Sequence, residues 1–358
     1  MIEISLIGPG YGESIIIHIG DGEWIIVDSC IQQLYTDQGG ARSAAVSYLV
    51  DIGVDLSQVS RVVATHWHDD HIGGLSQIVN ECAYAEFCCA MALREPEFLG
   101  FASVYAEADP SPIARSTREI INVLELLESR GKVPAFLVRD KLIRRTDRNV
   151  SVYALSPSNE RIRDFLGRVA TSMPTLNTTR LRVADMSPNS IAVAIFIDLV
   201  TDAILLGADV EETPGGAWSA IVLNSEAMRG HRSSLYKVAH HGSDTGECAA
   251  VWETLLFPSP FAILTPNTRL SKPLPTAEAV DRILQRTPHA YSTTRLNATA
   301  RRRRDIAVER TVRENGWKIR AVEPKAGHVR LRRRLGDPTS EWSLDLRGNA
   351  THLKHIRS

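Results

Sequence analysis

The stretch ATHWHDDHIGG at residues 64–74 constrains the possible fold and function of this chain more than any other stretch does. It crowds three of the 11 histidines together with two aspartates. The preceding run SRVVAT at 60–65 predicts a buried strand, and the following GGLSQIVNEC predicts a helix. The cluster therefore lies on a loop that leaves the carboxyl end of a strand. An exposed polar loop would crowd these titratable groups at an electrostatic cost, so the stretch predicts a metal site.

Strand and helix patterns recur in the same order along the chain, which predicts two similar halves. The apolar runs that predict strands lie at 2–7, 14–19, 23–28, 60–65, 150–155, 191–199, 203–207, 234–239 and 261–266. Glycine-bearing turns between the first three indicate antiparallel pairing, and helical patterns follow the later runs in each half. Two sheets with helices outside them predict an α/β (α+β) protein built as a four-layer αββα sandwich.

The domain organisation follows from these patterns and from the charge. Residues 1–295 are expected to form one catalytic domain, and residues 296–358 a basic, arginine-rich C-terminal extension. Helical patterns at about 91–135 predict an insertion at the mouth of the cluster, which is either a lid or a structural hairpin.

The C-terminal segment carries most of the positive charge. From Arg295 onward there are 17 Lys or Arg and 7 Asp or Glu, whereas the net charge of the whole chain is −1. The runs RRRR at 301–304 and RLRRR at 330–334 are either solvated, ion-paired surface or a phosphate-facing patch. On the second interpretation Arg301, Arg302, Arg303 and Arg304 would bind a polyanionic substrate.

The cellular setting is predicted from what the sequence shows of targeting and cysteine use. The N-terminal stretch MIEISLIGPGYGES has neither a basic leader nor a long apolar run, and no apolar run reaches the length of a membrane helix. The five cysteines show no paired Cys-x-x-Cys spacing. We therefore expect a cytoplasmic protein without a membrane partner.

The spacing within the cluster predicts two metal positions. His66 and His68 are two residues apart and would point the same way from an extended segment, whereas Asp70 and His71 follow as the loop turns. Imidazole and carboxylate ligands suit zinc, with manganese or iron as alternatives.

Several motifs together resemble the metallo-β-lactamase superfamily. THWHDDH is similar to its His-x-His-x-Asp-His signature, and Asp28 in WIIVDSC, Asp209 in LLGAD and the pair HH in KVAHHGS follow in the family's order over roughly 1–295. GPGYGESIII, SPNS and KVAHHGS are further similar to the metallohydrolase domain of bacterial DNA-uptake (competence) proteins.

The resemblance implies a ligand set for two divalent cations, Zn²⁺ or else Mn²⁺. His66 and His68 would hold the first ion, and Asp70 and His71 the second. Asp209 would bridge the two, and His241 would complete the second site, with His240 as a substrate-facing donor; these two roles could be exchanged. Asp28, Thr65 and Ser243 would support the site, Ser243 by bonding a substrate oxygen or by capping the next helix.

One departure from the family pattern concerns the first metal. The superfamily usually supplies a further histidine from a loop between the halves, but no histidine lies between His71 and His231. The matching place is SPNSIAVAI, where Asn189 would ligate the metal, bond a water or cap a turn. The protein is therefore expected to bind the metal ion of the first site weakly.

The function implied is that of a metal-dependent hydrolase in which a metal-bridging hydroxide attacks the substrate, with Asp70 and His240 as catalytic residues. We expect a phosphodiesterase or nuclease acting on nucleic acid or nucleotide diesters. One alternative is a carboxylic ester or lactone (or β-lactam-like) hydrolase. Another is a non-catalytic module that binds nucleic acid or a protein partner.

Overall fold

Two eight-stranded sheets form the centre of the molecule. The computed structural model describes residues 1–33, 41–106, 112–172, 187–212, 217–296, 306–316, 326–337 and 340–357. The strands, in chain order, are β1 (Ile2–Gly8), β2 (Ser14–His18), β3 (Trp24–Val27), β4 (Ile31–Gln33), β5 (Ala41–Ser43), β6 (Val59–Ala64), β7 (Glu86–Ala90), β8 (Ala135–Leu137), β9 (Lys141–Arg145), β10 (Ser151–Ala154), β11 (Ile195–Asp198), β12 (Ala203–Leu206), β13 (Ser233–Lys237), β14 (Leu256–Leu264), β15 (Ala290–Ser292), β16 (Gly327–Arg333), β17 (Ser343–Arg347) and β18 (Thr351–His352).

The helices occupy the connections between strands. In chain order they are α1 (Ala44–Asp51), α2 (Asp69–Ile72), α3 (Leu75–Glu81), α4 (Pro96–Ala106), α5 (Pro112–Ser129), α6 (Asn159–Ser172), α7 (Ala217–Asn224), α8 (Ala277–Arg286) and α9 (Ile306–Glu314). Helix α8 shows how the sequence sets such a boundary, because the Thr276 hydroxyl accepts a hydrogen bond from the Ala279 amide at its start. No helix among the described residues is both long enough and apolar enough to span a bilayer.

The strand order brings parallel strands to the middle of each sheet. The first sheet has the order β17-β16-β1-β2-β3-β6-β7-β8, and the second has the order β18-β15-β14-β13-β12-β11-β10-β9. The antiparallel pairing predicted for the first three strands is confirmed, and β3 pairs with β6 in parallel. In the second sheet β12, β13 and β14 are also parallel neighbours. Their carboxyl ends supply the candidate site described below.

The main core lies between the sheets. One buried cluster joins residues of the first sheet, such as Leu6 and Val63, to residues of the second, such as Ile197 and Leu235. A second cluster lies between the second sheet and helices α7 and α8, and includes Trp218 and Ile283. Full burial of each such side chain contributes about 1.5–3 kcal/mol, so the two sheets are held face to face by apolar packing. The predicted four-layer sandwich is confirmed.

The predicted insertion is helical. Its described part contains α4 and α5, and the side chains of Phe98, Phe101 and Tyr105 are buried. The rings of Phe98 and Phe101 lie 5.5 and 5.8 Å from the indole of Trp67. The insertion therefore packs directly on the loop that carries the histidine cluster, as a structural hairpin would.

The described part of the C-terminal segment is built into both sheets. Strand β16 pairs antiparallel with β1 along seven residues, β17 pairs with β16, and β18 pairs with β15. Whether 1–295 and 296–358 are separate domains stays a prediction, but the strands of the basic segment form sheet edges.

The run RLRRR at 330–334 lies on β16 and just beyond it, where two of its arginines are ion-paired. Arg330 is buried and lies 2.5 Å from Asp345, and Arg333 pairs with Asp202 at the turn between β11 and β12. These two guanidinium groups are therefore not part of a phosphate-facing patch, because carboxylates already neutralise them. Arg301, Arg302, Arg303 and Arg304 lie outside the described residues.

Candidate metal centre

The histidine loop begins where β6 ends, beside the end of its parallel neighbour β3. Asp28 directly follows β3 and is fully buried, with a left-handed φ of 59°. Its carboxylate accepts hydrogen bonds from the Thr65 amide at 2.8 Å and the Thr65 hydroxyl at 2.7 Å. It also lies 2.7 Å from Nδ1 of His71. Asp28 thus contacts both ends of the loop, at Thr65 and at His71.

The second sheet presents its own side chains to the same place. Asp209 follows β12, and His240 and His241 follow the neighbouring parallel strand β13. Asp209 and His241 are buried, with 2% and 1% exposure. Because carboxyl ends of parallel strands meet at one edge of a sheet, residues far apart in sequence converge here.

The ligand atoms lie within a few ångströms of one another. The Asp209 carboxylate lies 3.4 Å from Nε2 of His71, 3.4 Å from Nε2 of His241 and 4.0 Å from Nε2 of His66. Nε2 of His241 is also 3.3 Å from Asp70, and Nε2 of His66 is 3.0 Å from Nδ1 of His68. Among the described residues, three overlapping groups could each hold an ion: His66, His71 and Asp209; Asp70, His71 and His241; and Glu13, Asp28 and His71.

The residues present fit metal ions. Within the described part of the chain, Nε2 of His71, Nε2 of His241 and Oδ1 of Asp209 are buried and have no hydrogen-bond partner. The other nitrogen of each ring is anchored, His71 Nδ1 on Asp28 and His241 Nδ1 on the Thr265 carbonyl at 2.8 Å. Metal-binding histidines have this arrangement, because a hydrogen bond on one nitrogen orients the other toward the ion.

Burial and mutual charge set the pKa values of the cluster. Burial alone would raise the pKa of Asp209, but His241 and His71 hold it well below its usual range. Burial would likewise raise the pKa of Asp70, whereas the nearby imidazoles of His241 and His71 lower it. Burial lowers the pKa values of His66 and His68, with neighbouring histidines contributing. Burial would also lower the pKa values of His71 and His241, but neighbouring carboxylates, chiefly Asp209, raise both. The centre therefore combines ionised carboxylates with two histidines of lowered pKa and two of raised pKa, and a metal ion would displace the protons of the second pair.

The two adjacent histidines after β13 differ in environment. Both have left-handed backbone conformations, with φ of 47° for His240 and 54° for His241, so their rings diverge. The side chain of His240 is 18% exposed, whereas that of His241 is 1% exposed. This arrangement suits His241 as the ligand and His240 as the group that faces substrate.

His240 is held by groups on both sides of its ring. Nδ1 lies 3.0 Å from the Thr245 hydroxyl and 3.3 Å from Glu211, whose pKa is lowered by its hydrogen bond with this imidazole. Nε2 lies 3.3 Å from the Asn189 amide nitrogen and 4.0 Å from Asp209. Ser243 caps the short turn 244–246 by accepting from the Thr245 amide, which is the second of its two predicted roles.

Asn189 lies beside the cluster, in the turn Pro188–Ile191 before β11. Its Nδ2 faces His240, and its buried Oδ1 has no hydrogen-bond partner among the described residues. The structure therefore places the predicted residue at the site and leaves an oxygen available for a metal, a water or a substrate.

Sequence reasoning missed several residues of the site. Glu13 and Lys237 are both fully buried, and the Lys237 ammonium lies 2.5 Å from Glu13 and 3.8 Å from Asp209. Asn267 donates to Asp70 Oδ2 at 2.9 Å. Glu13 stood in the noted turn GPGYGE and Lys237 in KVAHHGS, but neither position by itself indicates a buried ion pair.

Comparison with known proteins agrees with the fold. Residues 7–138 match the family model described as metallo-beta-lactamase superfamily, so this part of the chain resembles that superfamily. No curated protein matches the chain.

Solved structures that resemble it are remote. MEM-A1, a subclass B3 metallo-beta-lactamase isolated from a soil metagenome library, is 13% identical over 71% of this chain and 82% of its own, with a TM-score of 0.35. BJP-1, a subclass B3 metallo-beta-lactamase of Bradyrhizobium japonicum, is 14% identical over 65% and 73%, with a TM-score of 0.33. The hydrolase AbOPH in the beta lactamase superfamily is 15% identical, with a TM-score of 0.32, and the match covers 55% of this chain and 55% of that chain. Likenesses this remote do not identify a substrate.

Proposed function

From the superfamily match at residues 7–138 and the metal centre, we propose that the chain is a two-metal phosphodiesterase that cleaves nucleic acid or nucleotide diesters. One observation carries the metal-dependent part of this proposal. Ligand atoms of His71, His241 and Asp209 converge in a buried cluster without hydrogen-bond partners among the described residues.

We assign the ligands as the family resemblance implies. His66 and His68 with Asp209 would hold one cation, and Asp70, His71 and His241 with Asp209 the other; zinc is the expected metal and manganese the alternative. When bound, the cations would supply Lewis acidity and lower the pKa of water at the site. Glu13 and Lys237 lie behind Asp209 as a buried ion pair and help to fix its carboxylate.

The chain's own groups handle the proton transfers. In the hydrolysis we propose, a water molecule loses a proton to solvent as its oxygen forms a bond to phosphorus, the bond from phosphorus to the leaving oxygen breaks, and the leaving oxygen takes up a proton from His240. Asp70, fixed by Asn267 and His241, orients the attacking water. His240 donates the proton to the leaving oxygen, because its side chain is partly exposed and Glu211 and Thr245 orient its ring.

A phosphodiester is favoured over an acyl ester by the charge beside the centre. The cleft next to it, beside Asn189, is lined by Arg139, Arg161 and Arg168. Guanidinium forks match phosphate oxygens, whereas an uncharged ester gains nothing from them. The resemblance to DNA-uptake metallohydrolase domains supports the same choice. The ion-paired Arg330 and Arg333 give no support to this choice, because carboxylates already neutralise them.

The proposal is tested by turnover of bis-p-nitrophenyl phosphate by the chain reconstituted with zinc or manganese. We expect turnover that His68→Ala and Asp209→Ala reduce at least about 100-fold, since each removes a ligand. His231→Ala serves as a control, because that side chain lies near Asp198 and outside the cluster. Turnover of p-nitrophenyl acetate or a lactone without any cleavage of the diester would favour the acyl-ester alternative. Salt-sensitive DNA binding with no metal and no turnover would favour the non-catalytic one.

A further inference from the structure

We propose that the cleft beside Asn189 binds a second phosphate group of the substrate, adjacent to the phosphodiester that is cleaved, through Arg139, Arg161 and the N-terminus of α6. This inference rests on the proposed function, because it narrows the proposed substrate from any phosphodiester to a phosphodiester with a neighbouring phosphate. The substrate class that fits is an oligonucleotide or a dinucleotide with a terminal phosphate.

The cleft adjoins the metal centre through one residue. Asn189 lies 3.3 Å from Nε2 of His240 and also lines two cavities, of about 270 and 210 Å³. The two cavities share Arg161, Asn189, Ser190 and Ala217 among their walls, so they form one cleft. A substrate held at His240 could therefore continue past Asn189 into this space.

Arg139 gives the clearest sign of an anionic ligand. Its side chain is half-buried at the wall of the larger cavity. Within the ranges that the structure describes, its guanidinium forms neither an ion pair nor a hydrogen bond. A half-buried cation without a counter-ion is unfavourable, and a phosphate in the cleft would neutralise it.

Helix α6 adds two further features to the same wall. Ser158 and Asn159 at its beginning line the cavity. The Arg161 amide already donates to the Ser158 hydroxyl at 3.3 Å, whereas the amides before it have no partner within the helix. Such amides favour an anion, and the dipole of a helix of 14 residues reinforces them. Arg161 and Arg168 are seven residues apart, which places both on the face of α6 toward the cleft, whereas Arg163 is exposed on the other side.

Asn189 supplies a second, independent indication of a ligand. Its side chain is 93% buried, since its exposure is 7%, and its Oδ1 has no hydrogen-bond partner among the described residues. That oxygen accepts, so it fits a hydroxyl or amino group of the sugar or base that joins the two phosphates. Glu211 and Glu160 also line the cleft, but they do not neutralise its arginines. Glu211 is bonded to Thr245 and His240, and Glu160 is exposed.

The cavity on the opposite side of the histidine loop is a weaker candidate for the site of the second phosphate. It measures about 410 Å³ and is also lined by arginines, but Arg115 pairs with Asp69 at 2.9 Å and Arg269 stacks on Tyr11 at 4.0 Å. Arg118 donates to the Ala106 carbonyl at 2.5 Å. These groups already have partners, so they offer less to an incoming phosphate.

The test measures binding of two-residue nucleotides that resist hydrolysis. Dithymidine with a methylphosphonate linkage is compared with the same compound bearing a 5′- or a 3′-phosphate, by calorimetry on the full chain reconstituted with zinc. We expect one of the phosphorylated forms to bind at least about tenfold more tightly than the unphosphorylated one. Arg139→Gln and Arg161→Gln should each remove most of this preference, and Arg163→Gln should keep it.

Equal affinity for all three compounds would overturn the inference, as would a preference that survives both Arg139→Gln and Arg161→Gln. Urea unfolding of each variant checks that the fold is retained, and Arg139→Gln is informative even if Arg161→Gln unfolds. Because binding is measured without cleavage, its failure is distinct from a failure to turn over bis-p-nitrophenyl phosphate, which would count against the proposed function instead.

Discussion

Nδ1 of His71 lies 2.7 Å from Oδ2 of Asp28, and this contact turns the opposite nitrogen of the ring toward Asp209. The two residues come from the ends of neighbouring parallel strands of the first sheet, whereas Asp209 follows a strand of the second. The candidate metal centre therefore forms only because the two sheets pack against each other. Each sheet brings part of the candidate ligand set, and the Asp28 carboxylate and the Thr265 carbonyl hold the rings of His71 and His241 in place.

Asp28→Asn tests the orienting role of that carboxylate. The amide retains one oxygen acceptor but cannot accept from both Thr65 and His71 as the carboxylate does, so His71 loses its fixed orientation. We expect metal affinity to fall about 10- to 100-fold, measured by competition with a chromogenic chelator. Asp55→Asn is the control, since Asp55 is an exposed cap of the turn Leu56–Gln58. An unchanged affinity in the Asp28 variant would contradict this role.

Arg333→Gln tests the structural role of the second arginine run. Arg333 and Asp202 are 10% and 5% exposed and join strand β16 of the first sheet to the second sheet. Removal of one partner leaves a buried charge, so the free energy of unfolding in urea should fall by about 3 kcal/mol. Arg334→Gln at an exposed position should change it by less than about 0.5 kcal/mol. An equal decrease in the two variants would contradict the buried ion pair.

The first arginine run stays a candidate for polyanion binding. If Arg301, Arg302, Arg303 and Arg304 bind phosphates, replacing all four with Gln should reduce the slope of log affinity against log salt. The reduction should be about 0.7–0.9 for each phosphate that the run neutralises in the wild type. DNA binding measured at several salt concentrations checks this. An unchanged slope would identify the run as solvated surface.

His328 predicts a pH dependence of stability away from the metal centre. Burial, together with the charges of Arg330 and Arg347, lowers its pKa from 6.5 to about 3. Protonation therefore favours the unfolded chain, and stability is lost as the pH falls below 6.5. The decrease attributable to His328 should reach about 2 kcal/mol at pH 5.

The measurement is urea unfolding between pH 7 and pH 5 for the wild type and His328→Gln. The variant should lose less stability over this range than the wild type, whatever its absolute stability. Parallel pH profiles would show that His328 is not buried in its neutral form.

The sequence predicted the parts of the site that local pattern encodes. An apolar run ending in His66 and His68 fixes a strand and a loop, and Asp209 and His241 each follow another such run. Their convergence could be anticipated because parallel strands end at one edge of a sheet. The domain resemblance then supplied the roles.

The remaining features depend on tertiary packing that local pattern does not contain. Glu13 and Lys237 form a buried ion pair across 224 positions of sequence, and neither is flanked by a motif that indicates its partner. The alternation of Val329, Arg330 and Leu331 is typical of a strand. The arginines of β16, however, were interpreted as surface charge. The cleft of Arg139 and Arg161 requires the packing of α6 beside Asn189, which only the tertiary structure shows.

The most direct test of the two-metal centre is a crystal of the full chain soaked with zinc and measured by anomalous scattering at the zinc edge. We predict two peaks about 3.5–4 Å apart, both in contact with Asp209, with His241 bound to one of them and His240 to neither. A single peak, or zinc bound away from Asp209 and His241, would contradict the two-metal centre.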